Sequence, residues 1–195
     1  MKLKINSNPK GSQNKMGKGQ DNERDLCKLF SLWWTEGKRD DIFWRTAGSG
    51  ARARVRTDSG KKVYRGYGDM MAEDLIGQPL INACTFEFKK GYKALSLLDC
   101  IASDQKKPVL IQFIQEAEKD AKDAGNIPIL VFQKKYKKTI ICIPFFVYSK
   151  LKKDQAKIQI NSWELYHKDI LYTYILIKLF DFFNWVKPKD FLKNF

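Results

Sequence analysis

Apolar residues at three- and four-residue spacings predict two amphipathic helices. The first covers residues 21–36, with Asp21 as the expected N-cap and Gly37 as the stop. The second covers residues 108–124 and ends at Gly125. Its shared apolar face consists of Leu110, Phe113, Ile114, Ala117, Ala121 and Ala124. Each helix therefore has one side that must pack against another element.

Alternating or continuous apolar runs predict the strands. They cover residues 42–46, 63–71, 83–90, 127–132, 139–146, 158–167 and 172–179. The aromatic C-terminal stretch FDFFNWVKPKDFL is expected to close the chain as helix. Helices that alternate with several strands predict one α/β domain over residues 19–195, in which a mixed sheet is flanked by helices.

The charge balance and the single histidine narrow the possible functions. The chain has 36 Lys and Arg against 22 Asp and Glu, a net charge of +14, which favours a polyanionic partner such as nucleic acid. One histidine, His167, excludes sites that need several imidazoles, such as nucleases with paired histidines. The four cysteines form no CxxC pair, so neither structural zinc nor a disulfide scaffold is expected. Chemistry should therefore rest on carboxylates and lysine with a hard metal such as Mg²⁺.

The N-terminal sequence predicts neither a signal peptide nor a membrane anchor. Lys2 and Lys4 lead into polar residues, and the longest charge-free apolar stretch, residues 139–149, is too short to cross a bilayer. Residues 1–18 contain no acid and are expected to form a mobile basic arm. We expect a soluble cytoplasmic protein without a membrane partner.

The strand sequence TFEFKK brings two ionisable side chains together. Because residues two apart in a strand point to the same side, Glu87 and Lys89 project together, while Phe86 and Phe88 point to the other side. Taken alone, this pattern is common on solvated strands. Asp69 lies among glycines in YRGYGDMM, and it can share a divalent ion with Glu87 if their strands pair. An ordinary turn aspartate is the other interpretation of Asp69.

Glu23 continues the apolar face of the first helix toward its N-terminus. An acid at this position is either an ordinary first-turn residue or an inward-facing functional acid, and position alone favours the first interpretation. Convergence with Asp69 and Glu87 would favour the second.

The order of four motifs, ERDLCKLF, WRTAGSG, GYGDMM and FEFKKG, resembles the PD-(D/E)xK nuclease superfamily, most closely the archaeal-type Holliday junction resolvases and related phage nucleases. In that group an early helix carries Glu-Arg, and Asp and Glu-x-Lys follow on consecutive strands. The later QEAEKDAKDAG and IPILVFQKK segments are similar to the helix and strand that come next. The similarity covers residues 17–146, and Gly68 stands where the motif has proline. The resemblance implies a restriction-endonuclease-like fold.

The resemblance also implies a role for each motif residue. Asp69 and Glu87 would ligate Mg²⁺, or Mn²⁺ in its place, together with the main-chain carbonyl of Phe88. Lys89 would hold or polarise the attacking water, and Glu23 would assist through a water or a second ion. The metal would neutralise phosphate charge and lower the pKa of its water, so no histidine base is needed. We expect Lys89 to remain cationic, because the carboxylates outweigh its burial.

A basic loop between the first two predicted strands provides candidate DNA contacts. Arg52, Arg54 and Arg56 alternate, so an extended segment would present all three to phosphates. The other candidates are Arg45, Thr46, Ser49, Lys61 and Lys62. A solvated loop is the alternative interpretation, but the net charge favours DNA contact.

Three other features have weaker links to function. The lysines of the QKKYKK turn form either a second phosphate track or a soluble edge of the sheet. Gln115 has a site-supporting role by resemblance, although helical projection places it off the apolar face. His167 is expected to be structural.

The sequence therefore predicts a Mg²⁺-dependent DNA endonuclease that acts in recombination or repair and prefers branched DNA such as a Holliday junction. The surplus of aromatic residues near the C-terminus favours a homodimer, because a two-fold enzyme suits a symmetric junction. Two alternatives stay open: a restriction-type endonuclease of the same fold, and a basic DNA-binding module without catalysis.

Overall fold

Helix α1 is the first element of the computed structural model and spans Lys18–Trp34. The described residues are 18–46, 67–92, 95–97, 99–102, 107–154 and 159–195. Helix α1 begins before its predicted N-cap, so Asp21 lies in the first turn instead. The helix ends at Trp34, two residues before the predicted bound, and Gly37, the predicted stop, follows with φ of 89° and an amide that donates to the Leu32 carbonyl at 2.7 Å.

A short antiparallel pair of strands follows, β1 (Phe43–Arg45) and β2 (Met70–Ala72). Strand β1 lies within the predicted strand 42–46. The prediction that a strand ends near Asp69 is wrong, because β2 begins directly after this residue. The glycine before Asp69 has a left-handed backbone, which interrupts a strand at that point. Residues 63–66 of the predicted strand lie outside the described residues.

The central sheet has five strands in the order β3-β4-β5-β7-β6. They span Cys84–Lys90 (β3), Ile127–Gln133 (β4), Ile140–Pro144 (β5), Ser162–Leu165 (β6) and Tyr174–Lys178 (β7). Strands β3 and β4 are parallel, and the other neighbours are antiparallel. The predicted strand 139–146 is too long, because it ends at Pro144 and a helix begins at the next residue.

The remaining helices surround this sheet. They are α2 (Gln78–Ala83), α3 (Asp99–Ala102), α4 (Val109–Ala124), α5 (Phe145–Asp154), α6 (Leu179–Trp185) and α7 (Pro188–Lys193). Helix α4 confirms the second predicted helix, and Gly125 caps it with φ of 74°. The aromatic tail forms α6 and α7, which are separated because a residue before Pro188 disfavours helical geometry. Helices α2, α3 and α5 were outside the predicted set.

Two apolar cores lie on opposite faces of the sheet. One contains Phe86 and Phe88 of β3 together with residues of α1, α5, α6 and α7. The other lies between β4 and α4 and includes Leu130, which is in register with Glu87. Glu87 and Lys89 therefore lie on the α4 face of β3, and the phenylalanines lie on the α1 face, as the alternation predicts.

This mixed five-stranded sheet with helices on both faces confirms the predicted α/β fold class, that of a single restriction-endonuclease-like domain. Among the described residues, no helix has both the length and the apolar content needed to span a membrane. The predicted basic arm, residues 1–18, lies outside the described residues except for Lys18, which begins α1.

Candidate active site

Asp69 is fixed against β3 by both its backbone and its side chain. Its amide donates to the Phe86 carbonyl at 2.6 Å, and its Oδ2 accepts a hydrogen bond from the Phe88 amide at 2.8 Å. The residue is only 5% exposed, so these bonds form in a largely dry environment. The carboxylate of Asp69 is therefore held in one place beside the strand that carries Glu87.

Gly68 permits this close approach. Its φ of +74° lies in the left-handed region that favours glycine. A Cβ at this position would lie 2.5 Å from the Phe86 carbonyl oxygen and 2.8 Å from Cγ2 of Thr85. Proline, which fixes φ near −65°, cannot adopt this conformation. Gly68, at the position where the motif has proline, is thus required both by its positive φ and by its close approach to β3.

The backbone of Phe88 directs its polar groups toward Asp69. The Phe86 carbonyl and the Phe88 amide both bond to Asp69, so these residues present their polar groups to the edge of β3 away from β4. In an extended strand the N–H and C=O of one residue point to the same edge. The Phe88 carbonyl, a predicted metal ligand, is therefore directed to the side on which Asp69 lies.

Lys89 lies between two carboxylates on the α4 face of the sheet. Its Nζ is 2.6 Å from Oε1 of Glu87 and 2.8 Å from Oε2 of Glu116. The ring of Phe113 packs against the ammonium, with the ring centroid 5.2 Å from Nζ. The predicted pairing of Glu87 with Lys89 is thus present as a short ion pair.

Burial and neighbouring charges shift the pKa of both partners. Burial, followed by the charge of Asp69, raises the pKa of Glu87 to about 7, although Lys89 acts in the opposite direction. Burial disfavours the ammonium of Lys89, but Glu87 and Glu116 outweigh that effect and raise the pKa of Lys89 above its ordinary value. Lys89 is therefore cationic, and Glu87 and Asp69 are close enough to repel each other. A cation between them would relieve this repulsion.

Glu23 reaches the same region from α1. Its Oε2 lies 3.6 Å from Nη1 of Arg45, and both side chains are about one-fifth exposed. Burial, followed by the charge of Asp69, raises the pKa of Glu23, while Arg45 and then Lys89 lower it. Glu23 is thus an inward-facing acid rather than an ordinary first-turn residue. Arg45, a candidate DNA contact, forms its ion pair at this site.

Thr46 is buried next to Asp69. Its amide donates to the Asp69 carbonyl at 3.1 Å. Its hydroxyl, Oγ1, is buried and has no hydrogen-bond partner among the described residues. An unpaired buried hydroxyl costs free energy, so this atom is suited to bind a polar atom of a ligand or a water.

Gln115 and His167 interact with Asp169 rather than with this cluster. Gln115 donates from Nε2 to the Asp169 carbonyl, and among the described interactions it has none with Glu87 or Lys89. His167 accepts the Asp169 amide at Nδ1, which is a structural role. The loop candidates outside the described residues are Ser49, Arg52, Arg54, Arg56, Lys61 and Lys62.

Two acids of α4 belong to the charged cluster, and sequence analysis missed both. Glu116 bonds to Lys89, and Asp120 is buried with a charge that contributes to the raised pKa of Glu87. Together with Phe113 they occupy positions i, i+3 and i+7, which share one helix face. This helical spacing was the signal available in the sequence, because the two acids continue the helix face that begins at the apolar Phe113 and meets β3.

The donor set suits a hard divalent cation. The carboxylates of Asp69 and Glu87 and the carbonyl of Phe88 are oxygen ligands of the kind that Mg²⁺ prefers, and Mg²⁺ usually retains several waters. In the described ranges, no group of three His, Cys, Asp or Glu side chains is placed to hold a metal. The fit therefore rests on two carboxylates, one peptide oxygen and water, with Glu23 and Thr46 nearby.

A comparison with known families agrees with this geometry. Residues 14–193 match the model of the family described as "Phage putative PDDEXK endonuclease". The match covers nearly the whole chain and includes the cluster around Asp69, Glu87 and Lys89. No match was found among the curated proteins or the solved structures. The chain belongs to the family of phage PDDEXK endonucleases.

Proposed function

We propose that this nuclease hydrolyses DNA at a Mg²⁺ site formed by Asp69, Glu87 and the Phe88 carbonyl, with Lys89 beside it. One observation carries the proposal. The Phe88 amide holds the Asp69 carboxylate at 2.8 Å, where its charge helps to raise the pKa of Glu87. Two carboxylates that repel each other beside a carbonyl oxygen make a suitable site for a divalent cation.

Each residue has a distinct part in hydrolysis. A bound Mg²⁺ would neutralise charge on the scissile phosphate and lower the pKa of the attacking water. Lys89 donates hydrogen bonds to that water or to a phosphate oxygen and so stabilises the negative charge that develops. The water gives up a proton to solvent as its oxygen bonds to phosphorus, the bond to the leaving oxygen breaks, and the leaving oxygen takes up a proton from solvent. Glu23 accepts a hydrogen bond from a second water on the α1 side.

For the substrate we propose branched DNA such as a Holliday junction, cut by a homodimer during recombination or repair. The order of the motifs resembles that of junction resolvases, and the net charge of +14 suits a polyanion with several arms. The arginines at 52, 54 and 56, outside the described residues, are the proposed phosphate contacts. Trp163 and Tyr166 are 51% and 76% exposed near the outer strand β6, and they would suit a dimer seam.

The test is a cleavage assay with the full-length protein. Duplex, single-stranded, flapped and four-way DNA are compared with and without Mg²⁺. The proposal predicts Mg²⁺-dependent nicking of flapped or four-way DNA, and Asp69→Asn and Glu87→Gln should each slow it by about 100-fold or more. Asp123→Asn and Glu36→Gln change exposed acids elsewhere and should leave it unchanged.

Other outcomes of the same assay assign other functions. Equal cleavage by wild type and Asp69→Asn contradicts the site. Cleavage confined to one sequence of plain duplex favours a restriction-type enzyme. Salt-sensitive DNA binding without cleavage at any Mg²⁺ concentration favours a non-catalytic DNA-binding module. Analytical ultracentrifugation tests the dimer separately.

A further inference from the structure

An open groove of about 700 Å³ lies at one end of the central sheet, next to Lys89. Its floor is made by the C-terminal ends of β3, β4 and β7 and by the start of β5, and its walls come from α1 and α6. Lys138 belongs to the QKKYKK turn, for which the sequence left open a second contact with phosphates or a soluble edge of the sheet. The groove begins where the proposed active site ends, because Lys89 lines the one and pairs with Glu87 in the other.

Positive charge dominates the groove. Lys89, Lys90, Lys138 and Lys178 line it, against the carboxylates of two aspartates, Asp25 and Asp181. The side chains of Lys90, Lys138 and Lys178 are exposed, and none of these three forms an ion pair within the part of the chain that the structure describes. Three uncommitted ammonium groups in one concave surface favour an anionic ligand with several charges.

The spacing of these lysines suits a chain of phosphates. Lys90 ends β3 and Lys178 ends β7, and these strands are three positions apart in the sheet order. Neighbouring strands lie about 4.8 Å apart, so the two backbones are roughly 14 Å apart across the groove. Lys138 lies between them, at the turn that joins β4 to β5. Consecutive phosphates of one strand could contact all three lysines at this spacing.

An exposed aromatic ring completes the groove. Phe180 is 46% exposed, although its helix neighbours Leu179, Phe182 and Phe183 are buried. Its ring meets the edge of Phe183 at a centroid distance of 6.3 Å, which leaves the rest of the ring open to the groove. Aromatic rings beside lysines are the arrangement by which proteins stack the bases of single strands while holding the phosphates.

We propose that this groove binds a single strand of DNA that continues from the scissile phosphate, with phosphates on Lys90, Lys138 and Lys178 and a base on Phe180. The proposal rests on the proposed nuclease function through Lys89. A base stacked on Phe180 favours a single strand over a duplex, because the bases of a duplex are already paired and stacked on one another. The substrate class is therefore DNA with a single-stranded segment beside the cut, such as a flap or an open branch point.

The test measures binding without cleavage. Full-length protein is titrated in EDTA against a fluorescent oligothymidylate and against a duplex of equal length, over a range of salt concentrations. The Lys138→Gln/Lys178→Gln variant should lower single-strand affinity and reduce the slope of log K against log salt by about 1.4, since each single-strand phosphate contact contributes about 0.7. The control, Lys122→Gln/Lys153→Gln, removes the same charge from exposed positions outside the groove and should leave the slope unchanged.

Substitutions of Phe180 test the stacking separately. Phe180→Leu keeps an apolar side chain but should weaken single-strand binding about fivefold or more, whereas Phe180→Tyr should retain it. The proposal is overturned by any of three results: no single-strand binding by the wild type, equal effects of the groove and control variants, or an equal loss of duplex binding.

The binding test stands apart from the catalytic one. If cleavage requires Asp69 and Glu87 but the groove variants bind single strands as well as the wild type does, only the groove proposal is contradicted. If the groove variants lose single-strand affinity as predicted but the protein cleaves no DNA, only the nuclease proposal is contradicted.

Discussion

The backbone amide of Phe88 donates a hydrogen bond to Oδ2 of Asp69 at 2.8 Å. This bond ties an acid that precedes β2 to the middle of β3, the strand that carries Glu87 and Lys89. The position of the carboxylate is therefore set by β3 as much as by its own segment. A site assembled in this way needs both segments to approach within hydrogen-bond distance.

Gly68→Ala should destabilise the protein much more than Gly91→Ala. Both glycines have positive φ, so alanine costs about 1–2 kcal/mol of backbone strain at either position. Only at Gly68 would the added Cβ also meet the Phe86 carbonyl, at 2.5 Å, whereas nothing lies within 4 Å at Gly91. Urea unfolding should show about 1–3 kcal/mol of additional loss for Gly68→Ala. Equal losses for the two variants would mean that the approach to β3 is not tight.

Glu116→Gln should slow cleavage without weakening DNA binding. Glu116 is one of two carboxylates that hold the Lys89 ammonium, at 2.8 Å, so its loss leaves Lys89 freer to leave its position. Misplacement of a catalytic group by about 1 Å costs about 10- to 100-fold in rate. Single-turnover rates and DNA dissociation constants, measured together, separate the two effects. Glu36→Gln is the exposed control, and an unchanged rate for Glu116→Gln would show that Glu87 alone positions Lys89.

Metal binding should release a proton from Glu87 below neutral pH. Burial, followed by the charge of Asp69, raises the pKa of Glu87 to about 7, so the metal-free site holds a proton that the cation must displace. Calorimetric titration with Mg²⁺ in two buffers of different ionisation enthalpy should show nearly one proton released per ion at pH 6. At pH 7 the figure should be about half a proton. A release that is the same at pH 6 and pH 8 would contradict the raised pKa.

The metal-free protein should lose stability through Glu87 as the pH rises. The folded pKa of about 7 lies above the ordinary value of 4.5, so between these values the folded protein binds more protons than the unfolded chain. The contribution of Glu87 to the free energy of unfolding is therefore full below about pH 4.5 and lost as pH passes 7. Urea unfolding in EDTA should show that the free energy of unfolding of Glu87→Gln increases relative to that of the wild type from pH 5 to pH 8. A constant difference would count against the pKa shift.

Glu23→Gln should impair cleavage less than Glu87→Gln does. Glu23 lies near Asp69 and pairs with Arg45 at 3.6 Å, but it is not among the proposed direct ligands. Loss of a group that acts through water typically costs about 10- to 100-fold in metal affinity or activity. The rate of Glu23→Gln should recover at higher Mg²⁺ concentration. A complete loss at every concentration would make Glu23 a direct ligand instead.

Strong periodicity made part of this site predictable. The alternation in β3 correctly separated Glu87 and Lys89 from Phe86 and Phe88, because one face of the strand must meet a hydrophobic core. The apolar stripe of α4 and its terminal glycine were predicted for the same reason. These features depend only on residues close together in the chain.

Contacts between distant segments were not predictable. The start of β2 depends on how Gly68 packs against β3, so a strand pattern ending near Asp69 could not reveal it. Helix α5 begins at Phe145 within a run of apolar residues that suits a strand equally well, and tertiary packing decides between them. Glu116 looked like an ordinary solvated acid, because its partner Lys89 lies on another element.

The most direct test of the central claim is a crystal structure with Mn²⁺, located by its anomalous scattering. One strong peak should lie among Asp69, Glu87 and the Phe88 carbonyl. Its metal–oxygen distances should be about 2.1 Å, as is typical of such hard-cation sites. Lys89 should remain within hydrogen-bond distance of Glu87 or of a water on the ion. A peak bound by other residues, or no peak at Mn²⁺ concentrations that support cleavage, would contradict the account.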